Sequence, residues 1–157
     1  MTGPDAPPSE AELGVLEERL ARWMATQRVE NPAVAHVERD PERGTRRWMM
    51  RLEGEEKATF TVWFELRQRS LHAETHLAPA PLEPPARAQE YVLRSVRRFR
   101  GLTAWIGGED AFFLGTDMRV ESVDEAALDR LLGSLYEATE HMFRPLMQLG
   151  YGERFKG

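Results

Sequence analysis

A chain of 157 residues with 41% apolar and 30% charged side chains has the length and composition of one water-soluble domain with its own core. It holds no cysteine, which excludes disulfides, thiolate metal sites and a cysteine nucleophile, and makes the cytoplasm the expected compartment. The net charge of −5 runs against general nucleic-acid binding, because affinity for phosphates rests on a positive field.

Residues 1–8 carry three prolines and small side chains, a composition that buries almost nothing and predicts a mobile tail ahead of a single domain over 9–157. The N-terminus has no basic segment followed by an apolar one, and no apolar run approaches the roughly 18 residues of a membrane span. Neither export by a signal peptide nor membrane insertion is expected. From Ser9 the pattern changes. Ser9 with Glu12 forms a capping box, and Leu13, Leu16, Leu20, Trp23 and Met24 recur at helical spacing, predicting a helix to about Arg28. Asn31-Pro32 ends it, since proline lacks a donor and disfavours helix in the residue before it.

A short strand fits 34–38. Trp48, Met50 and Leu52 then alternate with Arg47, Met49 and Arg51 before a turn at Gly54. Phe60, Val62, Phe64 and Leu66 share one face of the next strand, with Thr61, Trp63, Glu65 and Arg67 on the other. The stretch that follows reads as its hairpin partner. Setting Leu66 opposite Leu71 buries Phe64–Ala73 and Val62–Thr75, and places Glu65–His72, Trp63–Glu74 and Thr61–His76 on the opposite face.

The proline-rich segment 78–85 is a connector that delivers Pro85 as a first helical residue. Tyr91, Val92, Val96 and Phe99 form the stripe of a second helix, with Gly101 as its expected C-cap. Residues 102–106 and 111–114 read as a second hairpin around Gly107-Gly108-Glu109-Asp110. Both its faces are apolar, with Ala104, Ile106, Ala111 and Phe113 on one and Thr103, Trp105, Phe112 and Leu114 on the other. The longest helix opens with a second capping box, Ser122 to Glu125, and Pro145 predicts a kink or an irregular last turn. The fold class is therefore α+β: a twisted antiparallel sheet with helices packed on it, in the order α-β(3-4)-α-β-β-α.

The candidate chemistry is sparse. His72-x-Glu74-x-His76 has metal-ligating residue types, but along a strand its two histidines stand roughly 13 Å apart at about 3.3 Å per residue, too far to share one zinc. A polar ladder is the simpler reading. Glu65 beside His72 has the chemistry of an acid–base pair, yet no nucleophile elbow, metal helix or phosphate loop accompanies it. Nothing points to a cofactor or metal. Arg94, Arg97 and Arg98 share a helical face that suits phosphates or an acidic partner, although nucleic acid is not expected for an acidic chain. Trp63, Trp105 and Phe112 would mark an interface if the sheet face they occupy is uncovered, and a core if the last helix covers it.

Taken together, Trp48-Met-Met-Arg-Leu-x-Gly-Glu-Glu-Lys57, Phe60-Thr-Val-Trp-Phe64, Arg67-Gln-Arg-Ser-Leu-His-Ala-Glu-Thr75, Pro79-Ala-Pro81, Ala104-Trp-Ile-Gly-Gly-Glu-Asp-Ala111 and Leu132-Gly-Ser-Leu-Tyr136 resemble the actinobacterial branch of the YbjN domain family. Its members are described as bacterial sensory transduction regulators. The resemblance spans about residues 10–157 and implies a type III secretion chaperone-like fold, commonly dimeric, with no catalytic residues to carry over. The expected function is a cytoplasmic, non-enzymatic regulator or chaperone-like adaptor, a homodimer that binds a protein or peptide through Trp63, Trp105 and Phe112, with Arg94, Arg97 and Arg98 as an electrostatic site. The rival expectation is a small enzyme or ligand-binding protein using Glu65, His72 and Glu74.

Overall fold

The computed structural model describes residues 6–152. Residues 1–5 of the expected tail and the last five residues of the expected domain lie outside that range. Among the described residues the chain forms α1 (Glu10–Glu30), β1 (Val34–Arg39), β2 (Arg47–Glu53), β3 (Thr59–Leu66), β4 (Ser70–Ala78), α2 (Ala86–Val96), β5 (Thr103–Ile106), β6 (Phe112–Arg119) and α3 (Glu125–Tyr151). The six strands make one antiparallel sheet in the order β1-β2-β3-β4-β6-β5. The α+β architecture expected from the sequence is the one observed.

The capping box forms as expected: Glu12 donates its backbone N–H to Ser9 Oγ at 3.1 Å, and Ser9 returns its own to Glu12 at 3.3 Å. Leu13, Leu20, Trp23 and Met24 of α1 are buried against the sheet. Trp23 sits edge-on to Phe64 at 5.7 Å and donates its indole N–H to Asp129 at 2.9 Å, which ties α1 to α3 as well. Burying a Leu, Met or Phe of this kind contributes about 1.5–3 kcal/mol each, and such residues line one face of every central strand.

The β3–β4 register is the expected one, with Leu66 opposite Leu71 and Glu65 opposite His72. The turn before β3 is fastened to α3, since Glu55 and Glu56 donate backbone N–H groups to the Glu140 carboxylate at 2.9 and 2.6 Å. Gly54 makes room for it, because a Cβ there would fall 1.6 Å from the Glu140 oxygen. At the other end of α3, Tyr151 donates to the carbonyls of Pro79 and Ala80 and so holds the proline-rich connector.

Four details differ from expectation. The cap of α3 is Asp124, which accepts from Ala127 N–H at 2.8 Å, while Ser122 lies in a 3-10 turn. Of the two outcomes expected at Pro145, the irregular last turn does not form, since α3 continues through it as α-helix to Tyr151. Helix α2 stops at Val96 and tightens into successive three-residue turns, so Gly101, with φ +83°, ends the connection and not the helix. Finally, β6 runs on to Arg119, five residues past Leu114, and lies between β4 and β5.

Candidate functional site

All three helices lie on one face of the sheet, and among the described residues the other face is uncovered. Buried Trp48, Met50, Phe60, Val62, Phe64, Leu71, Ala73, Phe112 and Leu114 meet the helices. Alternation then sends Met49, Trp63, Glu65, His72, Glu74, Phe113 and Asp117 to the opposite side. Trp63 and Trp105 lie on this uncovered face and are partly exposed. Phe112 does not. It is only 2% exposed and packs in the core, and its place beside Trp105 is taken by Phe113. The reversal comes from the connection between β5 and β6, a 3-10 turn in which Glu109 (φ 59°) and Asp110 (φ 57°) are both left-handed, so that the strand resumes in the opposite phase.

Trp105 and Phe113 stack at 5.9 Å with ring planes 8° apart, and His76 meets the edge of Phe113 at 5.5 Å. On the far side of β4, the Arg47 guanidinium lies 4.2 Å above the Trp63 ring. Between these two aromatic groups runs a chain of charges. His72 contacts Asp117 through Nδ1 at 3.0 Å and Glu74 through Nε2 at 2.9 Å, and its side chain is only 13% exposed. Arg67 joins Glu65 at 2.7 Å and approaches Asp117 at 3.8 Å. The expected Glu65–His72 pair is thus adjacent in register but not joined, because Glu65 pairs with Arg67 while His72 lies between Glu74 and Asp117. Asp117 is the residue the sequence reading missed. Its signal is the alternation of Phe113, Gly115 and Asp117, which continues a strand that was ended at Leu114.

With both ring nitrogens in contact with carboxylates, His72 braces the face. Among the described residues no group of three or more His, Asp or Glu is arranged to hold a metal ion. A concavity of about 470 Å³ opens beside this network, lined by Arg47, Lys57, Trp63, Glu74, His76 and Phe113. Lys57 reaches it from the turn before β3 and donates to the carbonyls of His76 and Leu77 at 2.6 and 3.1 Å. Burial brings its pKa down to about 8. His76 is likewise lowered, first by burial and then by the nearby Lys57 charge.

The three arginines lie apart from this face. Arg94 pairs with Glu90 at 3.2 Å, Arg97 occupies the cap of α2, and Arg98 lies 3.2 Å from the His141 ring.

No family model matches the sequence. The chain is similar to uncharacterised proteins of Mycobacterium leprae, at 27% identity over 69% of this chain and 59% of the relative, and of Mycobacterium tuberculosis, at 25% over 66% and 56%. It therefore spans less than three fifths of the length of these relatives. Among solved structures it is similar to a chain of the heterodimeric ExoU–SpcU complex from the type III secretion system of Pseudomonas aeruginosa, with a TM-score of 0.48, 18% identity, and 62% of this chain and 84% of that one covered. None of the described helices is long and apolar enough to cross a membrane.

Proposed function

We propose that the protein is a cytoplasmic, non-enzymatic protein-binding module, a regulator or chaperone-like adaptor, whose partner docks on the uncovered face of the sheet. The observation that supports this best is the Trp63 and Trp105–Phe113 aromatic groups on a face whose Glu65, Glu74 and Asp117 are held by Arg67 and His72. Arg67 pairs with Glu65, and His72 lies between Glu74 and Asp117, so an incoming surface meets aromatic area flanked by Arg47 and Lys57. Large rings on rigid strands lose little conformational freedom on contact and dominate the energetics of protein interfaces. The complementary partner is an apolar protein surface. The resemblance to the YbjN family supports the same reading and adds self-association to it.

The test is capture of the partner from lysate of the source organism, followed by hydroxyl-radical footprinting of the purified complex. Trp63 and Trp105 should be protected in the complex, and Trp63→Glu and Trp105→Glu should each weaken capture by more than about tenfold. Undiminished capture by both variants, or rings oxidised equally with and without the partner, overturns the assignment. Sedimentation of the same variants reads self-association through this face.

The concavity beside Lys57 and His76 favours a second reading, a small-ligand site on the same face, to which the enzymatic use of Glu65, His72 and Glu74 belongs. It predicts recovery of the chain alone from lysate and protection of Trp63 by a low-molecular-weight fraction.

A further inference from the structure

We propose that the notch where β6 outlasts β5 is an oxyanion site for a small phosphate monoester, distinct from the uncovered face. Strand β5 begins at Thr103, opposite Gly115, whereas β6 continues to Arg119. The chain turns away from β6 at Gly101, and α3 closes the gap from the helix side, leaving a cavity of about 290 Å³.

Two cations of different origin meet there: Arg100 from the connection after α2, and Arg130 from α3. Ser134 lies one helical turn beyond Arg130 on the same face and adds a hydroxyl. Neither guanidinium makes an ion pair or hydrogen bond among the described residues. Both are therefore open to an incoming anion, unlike Arg39, Arg46, Arg67 and Arg144, which are matched to carboxylates.

Asp117 also lines the notch, but its carboxylate is engaged by His72 and Arg67 on the uncovered face. Two guanidinium forks match the charge and the oxygens of a phosphate dianion, where a single carboxylate ligand would satisfy one of them. The floor, formed by Leu102, Met118 and Leu131, is apolar and suits the organic group of an ester better than bare phosphate. A cavity of this size lies near the lower end of ligand sites, which restricts the ester to a small one.

The test is an amide-resolved NMR titration of the full chain with phenyl phosphate and, separately, inorganic phosphate. Saturable shifts are expected at Gly101, Leu102, Asp117, Met118 and Arg130–Ser134, with phenyl phosphate the tighter ligand. Arg100→Ala and Arg130→Ala should each weaken binding by about tenfold, the loss of one charge-assisted fork. Arg94→Ala, which removes a cation of α2 outside the notch, should leave it unchanged. Absence of saturation at millimolar ligand, shifts centred elsewhere, equal affinity for the two ligands, or wild-type affinity in either notch variant overturns the proposal.

Discussion

The indole of Trp105 lies across Gly115, so closely that a Cβ at position 115 would fall 2.6 Å from its Cη2 and 2.7 Å from the Ala73 carbonyl oxygen. The first obstacle is the end of a ring, which could swing aside. The second is backbone of the neighbouring strand and cannot. Gly115 thus lets Trp105 stack on Phe113 and reach to 6.1 Å from His72. Gly115→Ala should destabilise the fold by about 1–3 kcal/mol, the usual cost of overpacking, and shift tryptophan emission. Urea unfolding and fluorescence of the variant check both. A wild-type midpoint with wild-type emission would refute the packing argument.

Helix α3 offers changes of both signs. Gly133 is exposed in its interior with no atom within 4 Å of a built Cβ, so Gly133→Ala should stabilise by about 1 kcal/mol. Asp124→Ala removes the cap of the Ala127 N–H and should cost about 1 kcal/mol. Denaturant midpoints of the two variants should move in opposite directions. Movement of Asp124→Ala toward stability would show that the cap of α3 lies elsewhere.

The contrast between the two hairpins shows what was legible in the sequence. For β3 and β4 both strands alternate cleanly, and a slip of one residue would set Phe64 or Val62 toward water, so the pattern alone determined the register. In the second hairpin both faces are apolar, and the alternation carries no label for inside and outside. The phase between Trp105 and Phe112 then depends on the left-handed Glu109 and Asp110, exposed residues of a turn closed by backbone bonds between Ala111 and Gly107 and Gly108, which no turn motif announces. Asp117 was hidden for a related reason: the sequence does not say that β6 pairs with β4, and only that pairing sets Asp117 opposite His72. The notch between Arg100 and Arg130 depends on unequal strand lengths and was invisible until β5 and β6 were placed.

Lys57 and His76 predict a coupled pH response. Lys57 is lowered from 10.5 to about 8 by burial, so between those values the unfolded chain holds a proton that the folded chain does not. Stability should rise with pH through that window. A neutral amine keeps two N–H groups, enough for its bonds to His76 and Leu77. His76 is lowered by burial and secondarily by Lys57, so its contribution to stability rises as pH increases through its folded pKa toward 6.5. Lys57→Met should abolish the alkaline gain and raise the His76 pKa. NMR titration of the His76 ring in both proteins measures the coupling, and an unmoved His76 titration would remove Lys57 as its cause.

Glu17 predicts the opposite pH dependence at the acid end. Burial alone would raise its pKa, but hydrogen bonds from Arg39 and Arg46 outweigh that effect and the attraction of both charges adds to them, so the carboxyl lies below its ordinary 4.5. The pairing joins α1 to both ends of the β1–β2 connection, and Arg46 extends it to Glu10 at 2.8 Å. An acid lowered in the folded state contributes stability that is present above pH 4.5 and is lost as pH falls through the folded pKa. Glu17→Gln keeps the shape and removes the charge. Because Arg39 and Glu10 are well exposed and solvent screens them, the variant should lose only about 1 kcal/mol at neutral pH. The two proteins should converge once the wild-type carboxyl is protonated, since both then present a neutral group to the arginines. Urea midpoints measured from neutral pH down through the carboxylate range decide the matter. A difference that persists in acid would assign the effect of Glu17 to packing against α1 and not to its charge.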